Sequence, residues 1–267
     1  MGRLEDENGF TIKQINSGTH RFYEVEQGVY YPSVTTILQD GLPTHRELTK
    51  WFKQNGFMSD YLANKASEEG TIVHNAIEAL LQGAPIEYAD FIGREHLYEM
   101  VLKYAFFHTQ YVVEVLDIET MGVSHELKTA GTRDQRALLT DGNIWVIDFK
   151  TSNYHHDKMG YQTIAYKQMC IEEGVQVDKR GVLHLKAKTR GADKRKKNPC
   201  MQGKGWKLIE HNDDEHDMTM FRTAQEMFWK INPDAKPVHK KLPTVIDLKN
   251  EYYEEDFQLT EEPKKDE

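Results

Sequence analysis

Along most of the chain, apolar residues either alternate with polar ones or recur every three to four positions, and the switch between these periods marks the elements. Thr11-Ile12-Lys13 and His20-Arg21-Phe22-Tyr23-Glu24-Val25, set around Asn16-Ser17-Gly18, predict a hairpin on the edge of a main sheet. From about Thr44 to Gln110 the period is helical, with interruptions at Gly56, Gly70, Gly83 and Pro85, and a block of this length covers one face of a sheet. Within it, Gly70-Thr71 precedes a helix from Ile72 to Leu81 that ends at Gly83 and places His74 and Glu78 one turn apart. Strands are predicted over Tyr111 to Ile118, Gly131 to Leu139 and Ile144 to Lys150. A helix over Lys158 to Glu173, closed by Gly174, leads to a strand over Gly181 to Lys186. A last amphipathic helix runs through Met218, Phe221, Ala224, Phe228 and Ile231, capped by Asp213 or Asp214 and stopped by Pro233 and Pro237.

One of these strands carries charge where apolar residues crowd. In Trp145-Val146-Ile147-Asp148-Phe149-Lys150 the two-residue period turns Asp148 and Lys150 one way and Trp145, Ile147 and Phe149 the other. A two-residue loop in the preceding hairpin would pair Asp134 with Phe149, whereas a three-residue loop with Gly142 left-handed pairs it with Asp148. The three-residue loop is expected, because it brings two carboxylates close enough to grip one cation.

The 267 residues suffice for one sizeable core, and no linker or repeat divides them, so residues 1–246 read as a single domain with its core at about 70–186. Residues 247–267 turn acidic and read as a flexible tail. A net charge of −9 argues against coating nucleic acid by bulk charge, but Lys186 to Lys207 form a local basic stretch, read as a mobile loop. Its Lys188, Arg190, Lys194, Arg195, Lys196 and Lys197 are candidate DNA contacts, with Trp206 and Tyr154 as stacking surfaces; Phe106, Phe107, Tyr161 and Trp229 are assigned to the core. Cys170 and Cys200 are too few for an iron–sulfur cluster or a disulfide scaffold. No run is long and apolar enough for a membrane span and no signal peptide opens the chain, so the expected location is cytoplasmic.

Four motifs occur in a telling order: Gly70-x-x-x-His74, Gly131-Thr132-Arg133-Asp134, Asp148-Phe149-Lys150 and Gln162-x-x-x-Tyr166. Together they resemble the signature of RecB-type nucleases of the PD-(D/E)XK superfamily. Pro32-Ser33-Val34-Thr35-Thr36-Ile37-Leu38 and Ser124-His125-Glu126-Leu127-Lys128-Thr129-Ala130-Gly131-Thr132 add a likeness to the mitochondrial genome maintenance exonuclease family and its phage-encoded relatives. The likeness covers about Tyr31 to Tyr166. It implies an α/β fold with a central mixed sheet flanked by helices, a restriction-endonuclease-like core, an N-terminal hairpin and a helical arch at Glu47 to Ala66. It also implies a metal-dependent exonuclease that hydrolyses DNA from its ends, acting on single strands in replication, recombination or repair, phage-encoded and working in the host cytoplasm beside undefined replication or recombination partners.

Residue roles follow from the same resemblance. Asp134 and Asp148 would bind Mg²⁺ or Mn²⁺, with His74 and the Phe149 carbonyl as further ligands. Lys150 would serve the scissile phosphate, and Gln162 and Tyr166 would brace the lysine or hold the DNA backbone. Glu119 sits where relatives often carry a glutamate, with Glu114 and Glu126 as competitors. Ser33, Thr35 and Thr151 are further candidate DNA contacts. Hard oxygen donors with one imidazole suit either ion. Two other readings are kept: a structure-specific endonuclease, and a non-catalytic DNA-binding module that retains the fold.

Overall fold

The two-residue period sets the faces of the central strands: in β6 (Ile144–Lys150), Trp145, Ile147 and Phe149 enter one core and Val146 the other. A computed structural model describes residues 11–18, 20–152, 155–186, 205–237, 247 and 249 of the chain. On one side β6 is antiparallel to β5 (Thr129–Leu139), which is antiparallel to β4 (Val112–Ser124). On the other, β6 is parallel to β7 (Lys179–Leu185), and β8 (Trp206–Glu210) runs antiparallel to β7. Helix α5 (Lys158–Glu172) supplies the crossover that a parallel pair requires.

Helices α3 (Ser59–Leu81) and α4 (Glu95–Tyr111) bury Val73, Ile77, Leu97, Met100, Tyr104 and Phe107 against one face of this mixed sheet. The other face is covered by α1 (Val34–Asp40), α5 and α6 (Asp214–Ile231), through Val34, Ile37, Ile164, Met169, Phe221 and Phe228. The fold is therefore α/β, a mixed sheet flanked by helices. Asp213 caps α6 by accepting the His216 N–H. Helix α2 (Arg46–Asn55) buries no residue of its own.

Several expectations are corrected. The N-terminal region is a three-stranded sheet, β1 (Lys13–Ser17), β2 (His20–Glu26) and β3 (Val29–Pro32), rather than a hairpin. As expected it packs on the edge of the main sheet, Ile12, Tyr23 and Val25 clustering with Met121 of the edge strand β4 and Ala130 of β5, to which a Ser33–Ala130 bridge also ties it. Gly70 does not interrupt a helix, because α3 runs through it; a side chain there would meet Thr151 Oγ1 at 3.3 Å. A mid-helix glycine costs up to about 1 kcal/mol relative to alanine, which the close approach explains. Strand β4 continues six residues past Ile118. Trp206 begins a strand rather than a loop and packs its half-buried ring in T-shaped contacts with Phe107 and Tyr111. Phe106 is 42% exposed, because the buried stripe of α4 takes Tyr104 and Phe107 instead. Lys188, Arg190, Lys194, Arg195, Lys196, Lys197, Tyr154 and nearly all of the acidic tail lie outside the described residues.

Helix α1 ends where it touches α6: a Cβ on Gly41 would lie 1.9 Å from the Ala224 carbonyl oxygen. Backbone cannot give way as a flexible side chain can. Gly41→Ala is therefore expected to destabilise the protein by about 2–3 kcal/mol, read as a lower urea midpoint. An unchanged midpoint would contradict the α1–α6 packing.

Candidate metal centre

The site forms where two strands part. The β5–β6 ladder runs from Leu138↔Ile144 to Gln135↔Ile147 and then stops, although both strands continue. The three-residue loop sets this register: the Gly142 N–H reaches the Leu139 carbonyl, the Leu139 N–H reaches the Asn143 carbonyl, and Gly142 has φ 79°. Asp134 thus comes level with Asp148, as the alternation predicts. At the fork its carboxylate Oδ2 takes the Phe149 N–H at 2.5 Å, replacing the ladder bond that would have followed.

β4 brings a third carboxylate to the same level. Its pairing slips twice, between Val112 and Glu114 and between Val115 and Asp117, and then runs Ile118↔Gln135 and Thr120↔Arg133. Glu119 falls between these pairs, opposite Asp134, with a left-handed φ of 44°. A non-glycine residue held there costs on the order of 1–3 kcal/mol, strain that the surrounding ladder sustains. Its rivals are elsewhere: Glu114 is exposed, and Glu126 lies in the β4–β5 turn paired with Arg222.

From α3, His74 reaches over the fork. Its Nδ1 lies 3.4 Å from Asp134 Oδ1, and its Nε2 lies 3.1 Å from the Phe149 carbonyl. One donor atom from each of His74, Glu119 and Asp134 falls within 4.8 Å of the others. The Phe149 carbonyl, expected as a ligand, holds the ring through Nε2. An imidazole that donates one N–H to a backbone carbonyl presents its other nitrogen as a ligand, the usual second contact of metal-bound histidines.

Asp148 is 2% exposed and flanked by two partners. Gln162 Nε2 donates to its Oδ1 at 2.9 Å and lies equally far from the Tyr166 hydroxyl. The Lys150 ammonium is 2.6 Å from Oδ2, yet at an angle outside hydrogen-bond geometry, so that buried oxygen lacks a true hydrogen-bond partner. Gln162 and Tyr166 therefore brace the aspartate rather than the lysine. Tyr166 fits because Gly131 has no side chain: a Cβ there would meet the ring at 2.7 Å. Ser33 is spent on the fold, capping α1 by accepting the Thr36 N–H, while Thr35 is exposed and bonded to Ser33. Thr151 is buried beside Gly70.

The electrostatics of the centre are those of acids waiting for a cation. Burial first, and the Asp134 charge next, push Glu119 up to about 7. Burial likewise raises Asp148 to about 6, with Lys150 opposing and Asp134 adding. For His74, burial favours the neutral ring, but the Asp134 carboxylate prevails and holds it protonated above its ordinary range. Asp134 itself is lowered: burial opposes ionisation, and the His74 charge overcomes it.

These residues fit a hard divalent ion: two carboxylates and an oriented imidazole converge, and an under-bonded carboxylate oxygen lies beside them. Binding must expel the protons on Glu119, Asp148 and His74. Mn²⁺ affinity is therefore expected to rise between pH 5.5 and 8, with more than one proton released per ion near pH 6. Titration calorimetry in buffers of differing ionisation enthalpy measures this; no net release would contradict the site. The sign for stability runs opposite, since an acid raised on folding stabilises the metal-free protein at low pH and loses that contribution as pH climbs through about 7.

Among the described residues, no helix is long and apolar enough to cross a membrane. The chain matches no protein-family model and no curated protein.

Proposed function

We propose that the protein is a divalent-metal-dependent DNA exonuclease built on a restriction-endonuclease-like core. The observation that carries this reading is the row of Glu119, Asp134 and Asp148 on three adjacent strands, with His74 above it and Lys150 beside it. His74, Glu119 and Asp134 would hold Mg²⁺ or Mn²⁺, with Asp148 completing the set as its free oxygen turns from the lysine. When bound, such an ion supplies an activated water and a counter-charge for the phosphoryl oxygens. The chain's own contribution is Lys150, a cation fixed 2.6 Å from a buried carboxylate, placed to offset charge on the pentacoordinate phosphorus. Gln162 and Tyr166 keep Asp148 from swinging away.

Support for attack from an end comes from α2 and the start of α3. Phe57 is 93% exposed and Tyr61 60%, at the junction of α2 with α3, whose start lies roughly 22 Å along α3 from His74. Exposed aromatic rings suit unpaired bases, which stack without sequence preference. With Mn²⁺, end-labelled single-stranded oligonucleotides are expected to be degraded, and a covalently closed single-stranded circle to survive. Cutting of the circle would make the enzyme an endonuclease, and binding without turnover would make it a DNA-binding module.

A further inference from the structure

Just past Lys150, basic groups gather around the ends of β6, β7 and β8. His184 is the partner of Lys150 in the parallel ladder, and Lys186 follows two residues on, so both project on the face of Lys150. Although 93% and 96% buried, they reach the same acceptor: His184 Nε2 lies 2.6 Å from the Ser152 carbonyl, and the Lys186 ammonium also donates to it. His156 adds a ring whose Nδ1 is buried without a hydrogen-bond partner. His155 and His211 stack with centroids 5.1 Å apart and Nε2 atoms 3.3 Å apart, a spacing that lets them share one proton.

Four imidazoles in company with Lys150, Lys158, Lys186 and Lys207 are an unusual concentration in a chain of net charge −9. The carboxylates felt by this group, among the described residues, are Asp148, 2.6 Å from Lys150, Asp157, Asp217, which Arg180 already holds at 2.7 Å, and Asp40 beside Lys158. Burial first, and then the neighbouring cations, hold His155, His156, His184 and His211 below their ordinary range. They therefore stay neutral while nothing negative is near.

We infer that this cluster seats a phosphate of the substrate strand next to the one at Lys150, with the unpartnered Nδ1 of His156 as its principal contact. The inference rests on the nuclease reading and names where the strand continues beyond the cleaved bond. A phosphate supplies the negative charge that the cluster lacks, and its arrival draws a proton onto His156, so binding tightens as pH falls. His45, Lys150, Lys158 and His155 are the charged or chargeable groups acting on that ring.

The test is fluorescence anisotropy with a single-stranded dT12 in Ca²⁺, which avoids turnover, at pH 6 and pH 8, for the parent, His156→Gln and His155→Gln. The parent is expected to bind more tightly at pH 6, and His156→Gln to lose about tenfold in affinity at that pH while its pH dependence flattens. His155→Gln is expected to show a smaller loss in the same direction. Mn²⁺ affinity and Tm should be unchanged in both variants, which distinguishes a missing phosphate ligand from a disturbed fold. Probes with and without a terminal phosphate tell a phosphomonoester from an internal phosphodiester. Loss confined to the phosphorylated probe assigns the seat to a strand end, and equal loss with both assigns it to the backbone. Parent affinity and pH slope retained by both variants would overturn the inference and leave the nuclease reading intact. No binding of dT12 by the parent would overturn both.

Discussion

Lys150→Met is expected to bind Mn²⁺ at least as tightly as the parent and to degrade DNA on the order of 10³-fold more slowly. The two effects separate because the lysine's ion pair among the described residues is with Asp148. Its ammonium lies 2.6 Å from an oxygen that a metal would use and opposes the proton on that carboxyl, so removing it deprives the cation site of a competitor. What disappears is the positive charge that the transition state would meet. Asp134→Asn should fail differently. Its carboxylate is both the acid nearest His74 and the acceptor of the Phe149 N–H, so the variant is expected to lose Mn²⁺ binding together with cleavage. Calorimetry beside a turnover assay on labelled single-stranded DNA reads both numbers. A Lys150→Met protein that cuts at the parental rate would remove the lysine from the chemistry.

The largest effect on stability is expected outside that centre. Arg180, at 1% exposure, donates to Asp217 at 2.7 Å, to Asp214 at 2.8 Å, to the Gly160 carbonyl at 2.9 Å and to Thr163 Oγ1 at 3.1 Å. It thereby ties β7 to α5 and α6. Arg180→Met leaves Asp217 buried without its partner, a change that costs about 3–5 kcal/mol where a buried pair is broken from one side. That is about a fifth or more of the stability of an ordinary domain. Arg180→Met with Asp217→Leu should recover much of the loss, because the stranded charge goes with its partner. Urea unfolding of the single and double variants is the measurement, and equal losses in the two would mean that packing rather than charge sets the cost.

Much of this was legible in the sequence where one local signal decided one geometric question. Gly142 allowed a three-residue loop, the pairing of two carboxylates selected it over a two-residue one, and its register brings Asp134 level with Asp148. The apolar strand around Asp148 and Lys150 likewise left few places for those charges except a site. Glu119 could not be chosen over Glu114 and Glu126 in this way, since two slips in the β4 ladder decide which glutamate arrives opposite Asp134, and slips leave no mark in composition. Gly70 reads as a breaker in any short window of sequence, and its use depends on Thr151, which is distant in the chain. The strand at Trp206 was hidden by the basic residues before it. Gln162 and Tyr166 carried the right spacing, but only the packed structure shows that they serve the aspartate.

The Ser33–Ala130 bridge bears on when the protein becomes competent during its own synthesis. Val34, next to that bridge, shares a core with Tyr166, whose hydroxyl steadies the Asp148 brace, and with Phe228 near the end of α6. A ribosome must therefore deliver the chain through α6 before Val34 finds its place, and contacts of such long separation form slowly. The nascent polypeptide would carry every residue of the proposed cation site long before it could hold them together, which would keep the proposed activity silent until α6 has been made.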